Sequence, residues 1–515
     1  MRAGTYILLF FVLLMAPFLL QRMSGAGGPT EAVSGGDRLV IVSPHNSDIR
    51  REYARAFSAW HQEHYGTPVT LEFRSLLGTN NIKRLLQESY DALRLPDHSL
   101  PAESVIGDNI DIQIAWGGGD SFFNGDLKPL GILAPLHISP QQLLEIFPQA
   151  KLAGVNLYDQ EPKGPPLWVG SCLSSFGIMY NPEFYSRLDL PPPKTWSDLT
   201  NPKLAGMISL ADPTQSGSAA VCYMMVIQRA MADAEAAYLQ DHPTAPKTDP
   251  GYLAALASGF HNGMGQLLLI AANARSFTDS ATQPPMDICD GQVAAATAID
   301  FYAHVYIEQV SSDRAAFVTP ANATAITPDP VAILYGTVGR KRELADHFVE
   351  FLLSREGQRL WVLKAGAPGG PRDRALRRPP IRRDLYSEDQ SNWTDTTNPF
   401  TAARVFNMRG EWMALFTDIR PIWAAAWIDS RDDLVQTYAD ILAVPDEGRR
   451  EKLLGELADV PLTMQDVQAD NTTRKQKEAA GNADEWKARS RLEWAQKFRQ
   501  FYRGLAAQAA AEGSD

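Results

Sequence analysis

The chain has 515 residues, of which 45% are hydrophobic and 21% charged, a composition typical of a globular protein with two or three domains. Its formal net charge of −12 argues against nucleic acid as a partner. The three cysteines, Cys172, Cys222 and Cys289, are too few for a disulfide scaffold and lack the spacing of metal ligands.

Residues 1–26 are predicted to be an export signal. Arg2 precedes an apolar run at 5–20 that suits a secretory signal core and is short for a membrane-spanning helix. Residues 24–26 fit a cleavage site, and residues 27–37 form a linker rich in glycine and serine. An uncleaved membrane anchor is the alternative. In both cases we expect a periplasmic or other extracytoplasmic location.

Strand and helix patterns then alternate, which predicts an α/β fold with a mostly parallel sheet. Apolar strands within 37–48, 67–80 and 111–116 each end in a polar or glycine-rich loop. Ligands of such sheets bind beyond the carboxyl ends of the strands, where glycine lets the backbone approach them. These loops therefore predict a binding rim made of Ser43, His45, Asn46, Gly78, Thr79, Gly117, Gly118, Gly119 and Asp120.

The middle of the chain has the same arrangement. A strand at 207–211 precedes the polar stretch 212–218, whose hydroxyl groups suit both helix capping and ligand binding. An apolar strand at 293–299 ends at Asp300, and an amphipathic helix follows residue 338. The basic, proline-containing stretch PRDRALRRPPIRRDLY, from about residue 372, predicts a surface crossover, and mostly helical structure is predicted beyond it.

In this order, several segments resemble those of a periplasmic solute-binding protein of an ABC importer, in the type II branch that includes ferric-iron-binding proteins. The segments are LVIVSPHNSD, LLGTNNIKRLL, DIQIAWGGGD, SSFGIMYNPEFY, TWSDLTNPKLAGMISLADPTQSGSA, PDPVAILYG and RELADHFVEFLLSREGQRLW. The resemblance covers about residues 38–370. It implies an α/β, two-lobe type II periplasmic-binding-protein fold with hinge strands, and here a C-terminal helical extension.

The implied domains are the first part of lobe 1 at 38–135, the hinge and lobe 2 at 136–302, the return to lobe 1 at 303–371, and the extension at 372–515. The lobes would close on a small polar solute. The second lobe would contribute Ser174, Ser175, Thr214, Ser216, Gly217, Ser218, Asp300 and Tyr302. No catalytic residue, cofactor or metal ligand is assigned.

Iron-binding members of the family present two adjacent tyrosines where this chain has Phe301 and Tyr302, which argues against ferric iron. A metal held by Tyr302 with His45, Asp120 and Asp300 is the less favoured interpretation.

The resemblance implies extracytoplasmic capture of a solute and its delivery to ABC permease and ATPase subunits. Nucleic acid is not expected as a partner, and membrane contact is expected only through an uncleaved N-terminal segment. A ligand-binding sensor is the alternative. An enzyme is disfavoured because the chain lacks GxSxG, GxxxxGK[ST] and HExxH motifs and an EF-hand loop. His61 and His64 more often end a helix in solvent than bind zinc.

Overall fold

The computed structural model describes residues 37–76, 78–161, 164–401, 406–409, 412–416, 419–479 and 483–511. The predicted export signal at 1–26 and all but the last residue of the predicted linker at 27–37 lie outside the described residues. Within the described residues, no helix has both the length and the apolar character needed to cross a membrane.

One large sheet runs through the molecule, with the strand order β2-β1-β3-β12-β7-β10-β8-β9. The strands are β1 (Asp37–Ser43), β2 (Val69–Ser75), β3 (Ile114–Trp116), β4 (Leu133–Ala134), β5 (Lys151–Leu152), β6 (Val155–Asn156), β7 (Val169–Tyr180), β8 (Ile208–Ala211), β9 (Ala274–Thr278), β10 (Ala295–Ile299), β11 (Ala316–Val318) and β12 (Ile326–Leu334). Strands β5 and β6 form a separate hairpin.

The sheet divides into two parallel halves joined by two antiparallel strands. In one half β1 pairs in parallel with β2 and β3, and in the other β8 pairs in parallel with β9 and β10. Residues 169–175 of β7 pair with β12, whereas residues 176–180 pair with β10. The far end of β12 pairs with β3. Strands β7 and β12 therefore belong to both halves and form the predicted hinge strands.

Helices cover both halves and build the C-terminal part. They are α1 (Ser47–Tyr65), α2 (Thr79–Asp91), α3 (Glu103–Asn109), α4 (Pro140–Ile146), α5 (Pro182–Arg187), α6 (Gly217–Asp241), α7 (Pro250–Ala272), α8 (Gln283–Cys289), α9 (Asp300–Ile307), α10 (Gly339–Leu353), α11 (Arg355–Val362), α12 (Met413–Phe416), α13 (Ile419–Trp427), α14 (Arg431–Leu442), α15 (Glu447–Ala458), α16 (Met464–Ala479) and α17 (Ala483–Ala511). Lobe 1 contains α1–α3, α10 and α11, and lobe 2 contains α5–α9.

Helix α1 shows how the sequence positions an element beside the cleft. Its N-cap residue Asn46 accepts a hydrogen bond from the Ile49 N–H at 3.0 Å, and Gly66 ends the helix with a φ of 76°. The helix buries one apolar face against the sheet. His61 lies on that face and is buried, so the prediction that it ends the helix in solvent is wrong; its Nε2 lies 3.1 Å from His347 Nδ1.

The stretch that begins at residue 372 is not a surface crossover. Arg378, Ile381 and Leu385 are buried, and the Leu173 N–H donates to the Pro379 carbonyl at 2.9 Å. The chain therefore lies along β7 at the hinge. Many charged residues in a stretch usually indicate solvent exposure, which is why the prediction was wrong. Arg378 and Arg382 are instead buried and pair with carboxylates that are distant in sequence.

Candidate functional site

A cleft of about 270 Å³ lies between the lobes, where the carboxyl ends of the parallel strands face one another. Loops after β1, β2 and β3 supply the wall from lobe 1, and loops after β8, β9 and β10 supply the wall from lobe 2. In each half the chain continues into a helix whose N-terminus opens towards the cleft, as at Thr79 of α2 and Gly217 of α6. Helix N-termini favour polar and negatively charged groups.

The backbones of the two lobes approach each other closely across this cleft. A Cβ atom added at Gly78 would lie 3.2 Å from the Gln215 carbonyl oxygen, and one added at Gly217 would lie 3.7 Å from the Gly118 carbonyl oxygen. Gly78 and Gly118 also have positive φ angles of 77° and 112°, which glycine adopts without strain. The backbones of the two lobes therefore come near each other at these glycines.

Asp329 and Arg378 form a buried ion pair at the floor of the cleft. The Asp329 Oδ1 atom accepts from the Gly118 N–H at 2.7 Å and the Gly119 N–H at 3.2 Å. Its Oδ2 atom accepts from Arg378 Nη1 at 2.5 Å and lies 2.8 Å from His45 Nε2. Both carboxylate oxygens are thus fully engaged by the protein, and the triple glycine loop is held to β12.

Arg378 connects the hinge strands and both lobes. Its Nη2 donates to the Ser174 hydroxyl on β7, while its ion pair with Asp329 lies on β12. The guanidinium also lies over the Phe301 ring of lobe 2, 4.4 Å from the ring centroid, in cation–π geometry. This single side chain therefore organises the floor of the cleft.

The charges in this network are strongly perturbed. Burial alone would raise the pKa of Asp329, but Arg378 and His45 outweigh burial and lower that pKa far below its ordinary value. Burial lowers the pKa of His45, against the opposing effect of Asp329. His45 is therefore neutral at pH 7, and since the carboxylate can only accept, its Nε2 carries the hydrogen.

Most of the predicted site residues come together at the cleft. Those that line it are His45, Asn46, Gly78, Thr79, Gly118, Gly119, Asp120, Ser174, Ser216, Gly217, Ser218 and Tyr302. Their contact with a solute stays a prediction. Ser216 also caps α6, because its hydroxyl accepts from the Ala219 N–H at 3.2 Å.

The structure does not bring Ser175, Asp300 and Thr214 to the cleft lining. The Ser175 N–H and hydroxyl donate to Asp300 at 2.6 Å and 3.0 Å, so these two residues satisfy each other. The Thr214 N–H and hydroxyl both donate to Asp212 at 2.7 Å, which closes a local turn. Strand alternation turns Ser174, the neighbour of Ser175, towards the cleft instead.

Ser43 and Gly117 are also outside the cleft lining. The Ser43 hydroxyl accepts from the His45 N–H at 3.1 Å and shapes the loop beneath the cleft. The Gly117 N–H donates to the Pro330 carbonyl at 2.8 Å, and an added Cβ would lie 2.7 Å from the His45 ring. Gly117 is thus required for packing rather than for ligand approach.

Sequence reasoning missed several residues that line the cleft: Pro44, Arg50, Leu76, Ser121, Phe176, Gln215, Val221, Asp279, Ser280, Ala281, Thr282, Ile299, Phe301, Thr327, Pro328, Asp329 and Arg378. One signal was available for Asp329. It is a lone carboxylate between two prolines in the apolar stretch AITPDPVAIL, and a buried carboxylate needs a buried cation or several N–H donors.

Among the described residues, no group of three or more histidine, cysteine, aspartate or glutamate side chains is arranged to hold a metal ion. Burial raises the pKa of Tyr302 well above its ordinary value, which disfavours the phenolate that a ferric ion would require.

The chain is similar to several proteins of known sequence or structure. An uncharacterised protein of Haemophilus influenzae is 26% identical over 251 residues, which are 48% of this chain; the match spans only 59% of that relative's length. The periplasmic binding protein AfuA of Actinobacillus pleuropneumoniae, solved with exogenous fructose-6-phosphate bound, is 20% identical, with 79% of this chain and 98% of that chain covered and a TM-score of 0.48. The ferric binding protein of Campylobacter jejuni is 15% identical, with 67% of this chain and 87% of that chain covered and a TM-score of 0.42.

The family assignment is carried by a family model rather than by these individual likenesses. The model, described as bacterial extracellular solute-binding protein, matches residues 127–396, which is more than half of the chain. The matched residues include β7, β12 and Arg378, and so include the hinge and the floor of the cleft. The chain belongs to the family of bacterial extracellular solute-binding proteins.

Proposed function

We propose that this protein captures a small polar solute in the cleft between its lobes and delivers it to the permease of an ABC transporter. The export signal predicted at residues 1–26 directs the protein out of the cytoplasm. The protein acts in the periplasm or another extracytoplasmic space. No bond is made or broken in the solute. The protein is therefore a binding component and not an enzyme.

The close approach of the two lobes is the observation that carries this proposal. A Cβ added at Gly78 or at Gly217 would lie 3.2 Å or 3.7 Å from a backbone carbonyl oxygen of the opposite lobe, and these glycines line the cleft. A solute held there touches both lobes and stabilises the closed arrangement over an open one. The solute can shift the equilibrium between the open and closed arrangements by no more than the ratio of its affinities for the two. A permease that recognises the closed form then receives only loaded protein.

Binding of ferric iron is less well supported. Phe301 replaces a possible tyrosine ligand, and the Arg378 guanidinium lies 4.4 Å from its ring centroid. The guanidinium donates to Ser174 and Asp329 and has no lone pair to offer a metal ion, so it adds no ligand where the second tyrosine would be. A sensor that uses the same two lobes would have the same cleft, so the partner protein and not the cleft distinguishes it from a transport component.

The test is a thermal-shift screen of the mature protein against a library of metabolites and metal ions, followed by small-angle X-ray scattering with each hit. A solute that binds only the folded protein at 100 times its Kd stabilises it by about 2.7 kcal/mol. We expect at least one organic solute to raise Tm and reduce the radius of gyration. The proposal is wrong if no solute does so, or if a hit is chemically converted during incubation.

A further inference from the structure

The charged groups of the cleft are not all neutralised by the protein. Among the described residues that line it, the groups charged near neutral pH are Arg50, Asp120, Asp279, Asp329 and Arg378. Asp329 and Arg378 neutralise each other, with every carboxylate oxygen engaged. Asp279 is exposed, so water screens its charge. Arg50 and Asp120 are the two charges left for a solute.

Arg50 is a cation with spare donors. It lies in the first turns of α1, and its Nε donates to the Asn46 carbonyl at 3.3 Å. Neither Nη atom forms an ion pair or hydrogen bond with another described residue. The side chain is half-buried, and no described carboxylate pairs with it. Burial lowers the pKa of this guanidinium, against the smaller opposing effect of Tyr302. A guanidinium that lacks a paired carboxylate favours an anionic partner.

Asp120, which directly follows the triple glycine loop and lines the same cleft, is a carboxylate that no described cation neutralises. It forms no ion pair with any described cation, and its main partners are the backbone N–H groups of its own turn. Burial raises the pKa of this carboxyl to about 6. Arg50 and Asp120 do not form an ion pair with each other, so they are two separate anchors of opposite charge.

Building on the proposed function, we propose that the solute is a small zwitterion whose oxyanion group pairs with Arg50 and whose ammonium group pairs with Asp120. The oxyanion is a carboxylate, phosphonate or sulfonate, all of which suit a guanidinium. A purely anionic solute would face the Asp120 carboxylate, and a purely cationic one would face Arg50, so each is rejected by a like charge.

The dimensions of the cleft limit the size of this solute. A volume of about 270 Å³ suits a solute of metabolite size rather than a peptide or a polymer. The N-termini of α2 and α6, which open on the same cleft, add further favourable potential for the oxyanion end. Small amino acids and amino-sulfonates fall within this range.

The experiment compares matched probes by calorimetry. Zwitterions (the α-amino acids, β-alanine, 4-aminobutyrate and taurine) are tested beside anions that lack the amine (propionate, butyrate) and amines that lack the anion (ethylamine, butylamine). We expect at least one zwitterion to bind at least a hundredfold more tightly than its two matched probes. Arg50→Gln and Asp120→Asn should each weaken its binding at least tenfold.

Two variants outside the cleft serve as controls. Arg51→Gln removes the neighbouring arginine, which pairs with Asp48 and is half-exposed, and Asp126→Asn removes a carboxylate that pairs with Lys83. Both should bind the zwitterion as the wild type does, within about twofold. Equal losses in the control and cleft variants would overturn the assignment of Arg50 and Asp120.

The pH dependence provides an independent readout. An ammonium pairs with ionised Asp120, so affinity should be nearly full above about pH 7, about half at pH 6 and about tenfold lower at pH 5, where the free carboxyl is mostly protonated. Asp120→Asn should abolish this dependence. A solute from the wider library that closes the lobes but carries no charge, or only one sign of charge, overturns the zwitterion proposal and leaves the proposed function standing. Failure of every solute overturns both.

Discussion

At the scale of single residues, the most unusual feature is a charge network that has almost no access to solvent. Arg378 is 2% exposed and Asp329 7% exposed, and the carboxylate has four polar neighbours. Two charges that are buried from solvent are tolerated here only because each forms an ion pair with the other. The network matters to function because it holds the triple glycine loop and β12 in the positions that shape the cleft.

This arrangement predicts an asymmetric response to mutation. Arg378→Met leaves the Asp329 carboxylate buried without its cation, so we expect a loss of about 3–5 kcal/mol in the free energy of unfolding, measured with urea. Arg378→Met combined with Asp329→Asn removes both charges and should recover much of that loss. A single variant within about 1 kcal/mol of the wild type, or a double variant worse than the single one, would contradict a coupled pair.

The partners of Arg378 explain why its burial could not be predicted from the sequence. The arginine lies in a stretch with many charges, PRDRALRRPPIRRDLY, and nothing local marks which of its arginines is buried. Its carboxylate partner is 49 residues away and Ser174 is 204 residues away. Pairings across such distances depend on the tertiary fold. Ser216, by contrast, was predictable, because a serine before an apolar helix is a local capping signal.

At the scale of elements, the glycines of the site have two different purposes. At Gly118, an added Cβ would lie 2.7 Å from the Thr79 methyl carbon and 2.9 Å from the Phe122 ring, so any side chain there strains the fold of lobe 1 itself. Gly217 has only the Gly118 carbonyl oxygen near it, 3.7 Å away in the opposite lobe. Gly217 is therefore the position at which closure can be disturbed without disturbing a lobe.

Substitutions at Gly217 should separate closure from stability. The Cβ of Gly217→Ala fits at ordinary contact distance, so we expect solute affinity within about threefold of the wild type. Gly217→Leu extends into the opposite backbone and should weaken solute binding at least tenfold, because binding must then take place with the lobes held apart. Calorimetry with the best solute from the screen, together with scattering, measures both effects.

The matched control is Gly448→Leu. Like Gly217, Gly448 lies in the first turn of a helix, and a Cβ added there would have one atom, Asp446 Oδ1, at 3.7 Å. Gly448 lies at the exposed start of α15, away from the cleft. It should bind solute normally. Normal affinity in Gly217→Leu, or equal loss in the control, would show that the lobes do not need this contact.

The same contrast between local and distant signals applies to the elements. Strands β1, β2, β3, β8 and β10 were predictable, since apolar runs and the polar residues that end them act over a few positions, whereas β9 and α7 were not predicted. The hinge was predictable only through the resemblance to a family. Nothing local shows that residues 169–180 form one strand whose first half pairs with β12 and whose second half pairs with β10.

At the scale of the whole molecule, the C-terminal helices are packed on lobe 2. The Trp423 Nε1 of α13 donates to Met264 Sδ of α7 at 3.3 Å, and Arg431 donates to the backbone at the start of β9. Phe498 and Tyr502 of α17 are buried. Helices α13–α17 therefore enlarge the hydrophobic core of lobe 2, whereas Asp384 and Glu388, near the start of the extension, pair with Arg355 and Arg359 of lobe 1.

The contact between α7 and α15 makes this packing testable. A Cβ added at Gly265 would lie 2.3 Å from the Ala458 carbonyl oxygen, which is backbone and can move only if α15 moves. Alanine normally stabilises a helix interior relative to glycine by about 1 kcal/mol. At Gly265 we expect the opposite sign, a loss of about 1–3 kcal/mol from overpacking, measured by urea unfolding of Gly265→Ala.

Gly455→Ala is the matched control, because Gly455 lies inside α15 with no atom within 4 Å of an added Cβ. It should gain about 0.5–1 kcal/mol. Opposite signs at these two glycines would show that the extension is packed on lobe 2 in solution and unfolds with it. A gain of stability in both variants would mean that α15 is free to move away from α7, and the extension would then be a separate unit carried by lobe 2.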